Sequence, residues 1–439
     1  MLQNIFKTNS SCCCQVLVVV HKFIEQNATT ISENLQSFER YLTSRVISLN
    51  TDFDFPIALH SIKFDVIILH YSLFGSGSSY KLNHKFLNYL KQSTAYKVAF
   101  FQDEYRFCQK RFTFLNDHKI DSVYTLLEPE YFDRTYYKYT SVKAVHHTLT
   151  GYVDSSLLKT TDDGFIPYEQ RQVDISYRAR ELPYYLGREA QEKTDIAKEF
   201  IQRLSNTNLH IDIQYTEASR LYGKDWYKLL ANSKAVIGVE AGVSIFDVDD
   251  QAFQAHEDAL LHNPHITKEE IFTLLEPWEG HIYYRTISPR VFEAAAFRVC
   301  QILFEGKYQN ILQPMVHYIP LKKDFSNFDE VIDMLNDKDL VETITNRAYE
   351  DLIASKRYSY ENFIRKFEQE LPVITNKQYD CNEISNINKQ LAEGFLLKYV
   401  LRKIIPIRYK QFIGRGLMIR MIRLFLSGVR QCTIFTHKQ

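Results

Sequence analysis

Three stretches of the chain place charged side chains just past short apolar runs. "DISYRAR" leaves Arg178 and Arg180 beyond a run of strand character, and the helical "REAQEKTDIAKEF" that follows contains Lys193. "AVIGVEAGVSIFD" sets Glu240, Gly242 and Ser244 after a second run. "TISPRVFEAAAFRVCQILFEG", Thr286 to Gly306, opens with Ser288 as a helix N-cap and Pro289 at the first helical position, where no N–H is needed. Guanidinium forks, a helix N-terminus and a carboxylate are the parts of a nucleoside-diphosphate site. Arg178, Arg180, Lys193, Glu240, Ser244, Ser288 and Arg290 are the residues this pattern offers. Glu293 lies two residues past the place of a capping-box glutamate, so it has no capping role. Two readings stand: an ion pair with Arg290 on a solvated face, or a ligand contact.

Parallel strands and their crossover helices would hold these side chains at one sheet edge. "QVLVVV", "FDVIILH", "YKVAFFQ", "DSVYTLL" and "VKAVHHTLTG" are strand candidates with room for helices between them. "KTTDDGFIPYEQRQ", 159–172, has the polar, Gly- and Pro-containing character of a linker. A second series follows with "VDISYRA", "HIDIQY", "KAVIGV", "CQILF" and "MVHYIPL". The alternation predicts an α/β protein of two domains, 1–160 and 173–372, the second ending in a helix near 358–371, and then a basic segment over 380–439. In such sheets ligands bind at the carboxyl ends of the strands.

Composition narrows the class. The 439 residues carry 53 basic and 53 acidic side chains, which gives no general reason to expect nucleic acid as a partner. Residues 394–439 hold ten Lys or Arg and no Asp or Glu, interrupted by Pro406, Gly414 and Gly416. That pattern fits an amphipathic, cationic element lying on an anionic membrane surface, or docked on the acidic remainder of the chain. Seven cysteines without CxxC spacing favour neither a disulfide framework nor a zinc site. With the "CCCQVLVVV" run read as a buried strand and no apolar run of membrane-spanning length, the expected setting is cytoplasmic. Neither GxxxxGK[ST] nor GxGxxG occurs, which argues against a P-loop NTPase and a simple NAD dehydrogenase.

"ISPRVFEAAAFRVCQILFEGKYQNILQPMVHYIPLKKDFSNFDEVIDMLND", Ile287 to Asp337, resembles the sugar-nucleotide segment of group 1 glycosyltransferases. "DISYRARELPYYLGREAQEKTDIAKEF" and "YGKDWYKLLANSKAVIGVEAGVSIFD" look like the earlier parts of the same domain, in the subset related to spore-maturation-type glycosyltransferases. The resemblance covers about residues 173–337 and implies a GT-B fold, two Rossmann-like domains facing a central cleft. It implies that Glu293 accepts hydrogen bonds from the donor's ribose while the helix start at Ser288 to Arg290 faces the diphosphate. Retaining members often carry a second glutamate eight residues earlier, and here that position is Arg285. Its place, on the sugar or phosphate side, and the anomeric outcome stay open.

Glycosyl transfer of this kind needs stabilised charge on the departing diphosphate and a group that takes the acceptor's proton. Arg178, Arg180, Lys193 and Arg290 suit the first. For the second, Asp103 and Glu104 in "FFQDEYRF" and His70 in "FDVIILH" end strands of the first domain. A core histidine and a helix-capping aspartate are the competing readings of His70 and Asp103. No cofactor or metal is expected, the donor being a substrate; "DVDD", with Asp247 and Asp249, is the nearest thing to a metal-binding aspartate pair. The expected partners are a nucleotide-sugar donor and a glycan or lipid-linked acceptor, in cell-surface glycan assembly. A GT-B-fold nucleotide-sugar epimerase and a catalytically inactive sugar-nucleotide-binding or scaffold protein are the alternatives.

Overall fold

The computed structural model describes residues 15–21, 29–52, 55–75 and 80–372, so the cysteine run at 12–14 and the basic segment 380–439 lie outside them. In the first half, β1 (Gln15–Val20), β2 (Arg45–Asn50), β3 (Val66–Leu69), β4 (Tyr96–Phe100), β5 (Ser122–Thr125) and β6 (Ala144–His147) make one parallel sheet in the order β2-β1-β3-β4-β5-β6. In the second half come β7 (Val173–Arg178), β8 (Ile211–Gln214), β9 (Ser233–Gly238), β10 (Ala241–Val243), β11 (Tyr284–Thr286), β12 (Cys300–Phe304) and β13 (Ile319–Leu321). Five of these form a second parallel sheet in the order β13-β12-β9-β7-β8. Every residue of β1, β3, β5 and β12 is buried, as strands covered on both faces by helices must be. These are two Rossmann-like domains facing a cleft.

In each sheet the strand order reverses once, between β1 and β3 in the first and between β7 and β9 in the second. Crossover helices leave opposite faces at such a point, and a crevice opens beyond the strand ends. Arg178 ends β7 and Gly238 ends β9, so the second crevice carries the residues singled out by type.

Three elements differ from the sequence reading. β2, "RVISLN", was not among the strand candidates, because an edge strand needs apolar residues mainly on one face and reads as half polar. Part of the expected linker is a helix, Ser155–Asp163, capped by Asp154, whose carboxylate accepts from the Ser156 N–H at 2.8 Å. Between β9 and β12 lies an insertion in which β10 and β11 pair antiparallel and enclose the helices Gln251–His262 and Lys268–Leu275. Gly242 makes this ribbon possible: its φ is +100°, and a Cβ there would sit 2.0 Å from the Tyr284 carbonyl oxygen.

The two halves share packing. Leu186, Val243, Phe246, Ile282 and Tyr284 join the same apolar core as Phe101, Phe112 and Tyr136 of the first half. Val153, in the connection, exchanges hydrogen bonds with Tyr358 (2.8 Å) and Tyr360 (3.1 Å). The closing helix Tyr360–Glu370 then lies on the first sheet, with Phe363 and Phe367 packed edge-on against Phe38 and with Phe100 beside them.

Candidate functional site

A cavity of about 200 Å³ opens beyond the carboxyl ends of β7, β9 and β12. Arg178, Arg180, Lys193, Ser288 and Arg290 line it, with Trp226 and Ala294 on its apolar side. The helix Pro289–Ala296 begins as its sequence implies: Ser288 holds extended dihedrals, its hydroxyl accepts from the Arg290 N–H at 3.4 Å, and Pro289 fills the first position.

Positive charge is only partly compensated here. Arg178 is bound up: its guanidinium donates to the Tyr177 and Asp212 carbonyls at 2.9 and 2.8 Å and pairs with the Asp212 carboxylate at 2.8 Å. Its Nε, buried, has no hydrogen-bond acceptor. Arg180 is half exposed and reaches Glu217 only at 3.7 Å. Arg290 stacks 4.8 Å from the Trp226 ring centroid and donates to the Arg178 carbonyl, with no carboxylate in ion-pair range among the described residues. Lys193 has neither a hydrogen bond nor an ion pair among them. Burial, together with Arg285, Arg290 and Arg180, pulls its pKa down to about 8 against the opposing pull of Asp103. Three under-compensated cations around a helix N-terminus are a trap for a di- or triphosphate.

Asp103 faces them from the first domain. It follows β4 with φ at +54°, is exposed to solvent, and lies within electrostatic reach of Lys193, Arg180 and Arg111. Burial raises its pKa while Lys193, Arg180 and Arg111 lower it, and the net shift is upward. It is a somewhat stronger base than an open aspartate and has a path to solvent.

Glu293 is not part of a solvated surface pair. It is 8% exposed, and its carboxylate accepts from the Trp226 indole N–H at 2.7 Å. Burial raises its pKa, opposed by that hydrogen bond and by Arg290. On the helix it lies beside Arg290, toward the first domain. Its other carboxylate oxygen is free of described partners.

Asp103 and Glu293 flank this cavity without lining it, and five more of the residues named from sequence sit elsewhere. His70 is fully buried: Nδ1 accepts from the Ser72 N–H at 3.1 Å and Nε2 faces the side-chain amide oxygen Oδ1 of Asn34 at 3.1 Å. Burial drives its pKa down to about 3, so it is a neutral core histidine that caps a turn, and it has no access to an acceptor. Glu104 is 1% exposed, bonded to the Thr125 hydroxyl and, across the domain boundary, to the Tyr284 hydroxyl at 2.5 Å. It ties the halves together and has no open face. Glu240 accepts from the Tyr308 N–H at 2.6 Å and the Tyr283 hydroxyl at 2.7 Å. The Ser244 hydroxyl accepts from the Glu189 N–H at 3.1 Å. Arg285 is 2% exposed and ion-paired with Glu192 and Glu189, which Lys323 also contacts. Its charge is answered by protein. In "DVDD", Asp247 accepts from the Ala252 and Phe253 N–H groups at 3.1 and 2.9 Å, which accounts for both its oxygens.

One residue near the site was not singled out from sequence. Glu33, on the helix Thr29–Tyr41 that follows β1, lies close enough to Glu293 to feel its charge. No spacing rule points to it, because the approach exists only once the two domains are joined.

No protein-family model matches the chain, and no curated protein matches it. Among solved structures it is similar to a glycosyltransferase from Rickettsia africae ESF-5, at 12% identity and a TM-score of 0.46, covering 81% of this chain and 97% of that one. It is similar to Anabaena HepE in complex with UDP and glucose, at 10% identity and a TM-score of 0.45, covering 82% and 100%. It is also similar to TarM, at 14% identity and a TM-score of 0.39, covering 69% of this chain and 54% of that one, so that it spans about half of TarM's length. These likenesses concern chain architecture. No helix of the described residues is long and apolar enough to cross a membrane.

Proposed function

We propose that this protein is a glycosyltransferase that moves a sugar from a nucleotide-activated donor to an acceptor hydroxyl. The observation that carries the reading is the set of under-compensated cations, Arg180, Lys193 and Arg290, around the Ser288 helix start at a strand-order reversal. Those groups answer the charge that grows on a departing diphosphate. Glu293 holds the donor's ribose, and Asp103, across the cleft, takes the acceptor's proton. No metal has a part in this scheme, and removing divalent cations with EDTA leaves activity intact.

The sugar is a hexose or a relative of one, and the acceptor a glycan or lipid-linked intermediate of cell-surface assembly, used at the cytoplasmic face. The separate acceptor-side domain and the basic residues 394–439 favour transfer over epimerisation of the donor.

The test is a thermal-shift panel of UDP, GDP, ADP, CDP and dTDP and their sugars, in which a ligand well above its dissociation constant raises the melting temperature. Product masses then separate transfer from epimerisation, and donor turnover separates an enzyme from an inactive binder. Glu293→Gln should keep the fold and lose about 1.5–3 kcal/mol of nucleotide binding, the worth of a hydrogen bond to a charged group. Unchanged affinity in calorimetry would remove Glu293 from the site.

A further inference from the structure

The first turns of two helices meet at the junction between the domains. A Cβ on Gly151 would lie 3.1 Å from Pro289 Cγ and 3.8 Å from the Thr30 methyl, so Gly151 is the thin spacer between the helix Thr29–Tyr41 and the helix Pro289–Ala296. Each helix carries a glutamate about one turn further in: Glu33, three residues after Thr30, and Glu293, four residues after Pro289. Residues three or four apart share a helix face, so both carboxyls turn toward the junction. Each helix also stands beside the strand-order reversal of its own sheet, at β1 and at β9.

Glu33 is half buried, and its carboxyl has no hydrogen bond or ion pair among the described residues. Arg40, on its own helix, is paired with Asp154 at 2.9 Å. From the other elements around it, Glu33 meets Asp154 of the connection and Glu293 of the second domain, and its charge also reaches Tyr71 and Tyr360. Burial, then Asp154 and Glu293, push its pKa up to about 8, with Arg40 opposing. Burial thus favours the neutral form of Glu33, and a half-buried carboxyl with no partner among the described residues calls for one from outside the protein.

We propose that Glu33 is a further residue of the donor site, gripping the ribose hydroxyls from the first domain while Glu293 grips them from the second. This rests on the reading of the cleft as a nucleotide-sugar site. A vicinal diol offers both donors and acceptors. A carboxyl on each side of the junction, one donating and the other accepting, complements it. The bound ribose then spans the junction.

Calorimetry with UDP and 2′,3′-dideoxy-UDP, or the same pair in the base that the panel selects, tests this directly. In the wild-type chain the diol is preferred at pH 7, and the preference falls by about tenfold in all as Glu33 ionises above pH 8. Lys193 also titrates near there, but its charge meets both ligands equally and cancels in the ratio. Glu33→Gln, which keeps an N–H donor, retains the preference and makes it independent of pH. Glu33→Ala loses about tenfold of UDP affinity and little of the dideoxy ligand's. If wild type, Glu33→Gln and Glu33→Ala all show the same pH-independent diol preference, this inference falls and the nucleotide site stands. If the wild-type chain binds no nucleoside diphosphate, the site reading and this inference fall together.

Discussion

Asp250 caps a helix that belongs to the other half of the molecule. Its carboxylate accepts from the Cys108 N–H at 2.8 Å and the Gln109 N–H at 3.3 Å, at the start of the helix Cys108–Asp117, although Asp250 itself follows β10 in the second half. Gln109 answers by donating to the Val248 carbonyl at 2.7 Å, and the Asp247 N–H reaches the Tyr105 carbonyl at 3.0 Å. The insertion is stitched to the first domain by backbone-directed bonds as well as by packing.

Removing that cap should weaken the seam. Asp250→Ala is expected to lose about 0.5–2 kcal/mol of stability, as for other helix N-caps, and Asp250→Asn less, because its amide oxygen still accepts one of the two N–H groups. Urea unfolding of the two variants beside wild type checks the order; equal midpoints for Ala and wild type would show the bond to be dispensable.

The buried neutral His70 should limit stability in acid. Its folded pKa, about 3, lies below the unfolded value near 6.5, so below pH 6.5 the unfolded chain takes up a proton that the folded chain refuses. Stability attributable to this site is intact above pH 6.5 and is lost at about 1.4 kcal/mol per pH unit down toward pH 3. Measured against His70→Gln, the wild-type advantage should therefore shrink as pH falls through 6.5. A constant difference would mean that the ring is protonated in the folded chain.

Lys193 should give donor binding an alkaline limb. With its pKa at about 8, the ammonium is present at pH 7 and largely gone by pH 9, whereas a guanidinium remains charged. The ratio of nucleoside-diphosphate affinities, wild type over Lys193→Arg, is expected to fall by up to about tenfold per unit above pH 8. A flat ratio would take Lys193 off the phosphates.

The basic residues 394–439 are proposed to hold the protein at an anionic membrane surface. Deleting them should release the protein from phosphatidylserine-containing liposomes at low salt while leaving nucleotide affinity unchanged. Failure of the full-length chain to sediment with such liposomes would leave docking on protein as the explanation of this charge.

The sequence was most legible where a local rule suffices. The Ser288–Pro289 start and the β7, β9 and β12 runs depend on neighbours in the chain, and each lies where its pattern says. Arg178, Arg180, Lys193 and Arg290 come together because strand ends and helix starts in a parallel sheet must. Glu104, Glu240, Ser244 and Arg285 were indistinguishable from site residues by type alone; their partners, Tyr284, Tyr308, the Glu189 backbone and Glu192, lie between 55 and 180 positions away. Glu33 was invisible for the converse reason, since nothing near it in sequence marks an acid that meets the opposite domain.

The closing helix Tyr360–Glu370 has a consequence for how the chain is made. It seals Phe38 and Phe100 of the first sheet, and the Glu368 carboxylate accepts from the Thr43 N–H at 2.7 Å across 325 positions of sequence. A ribosome finishes the first sheet long before it releases the helix that covers it. During that interval an apolar face stands open, at roughly 5–20 residues per second. The nascent first half therefore waits tens of seconds for its last piece, a window in which a chaperone, or a second nascent chain, finds it first.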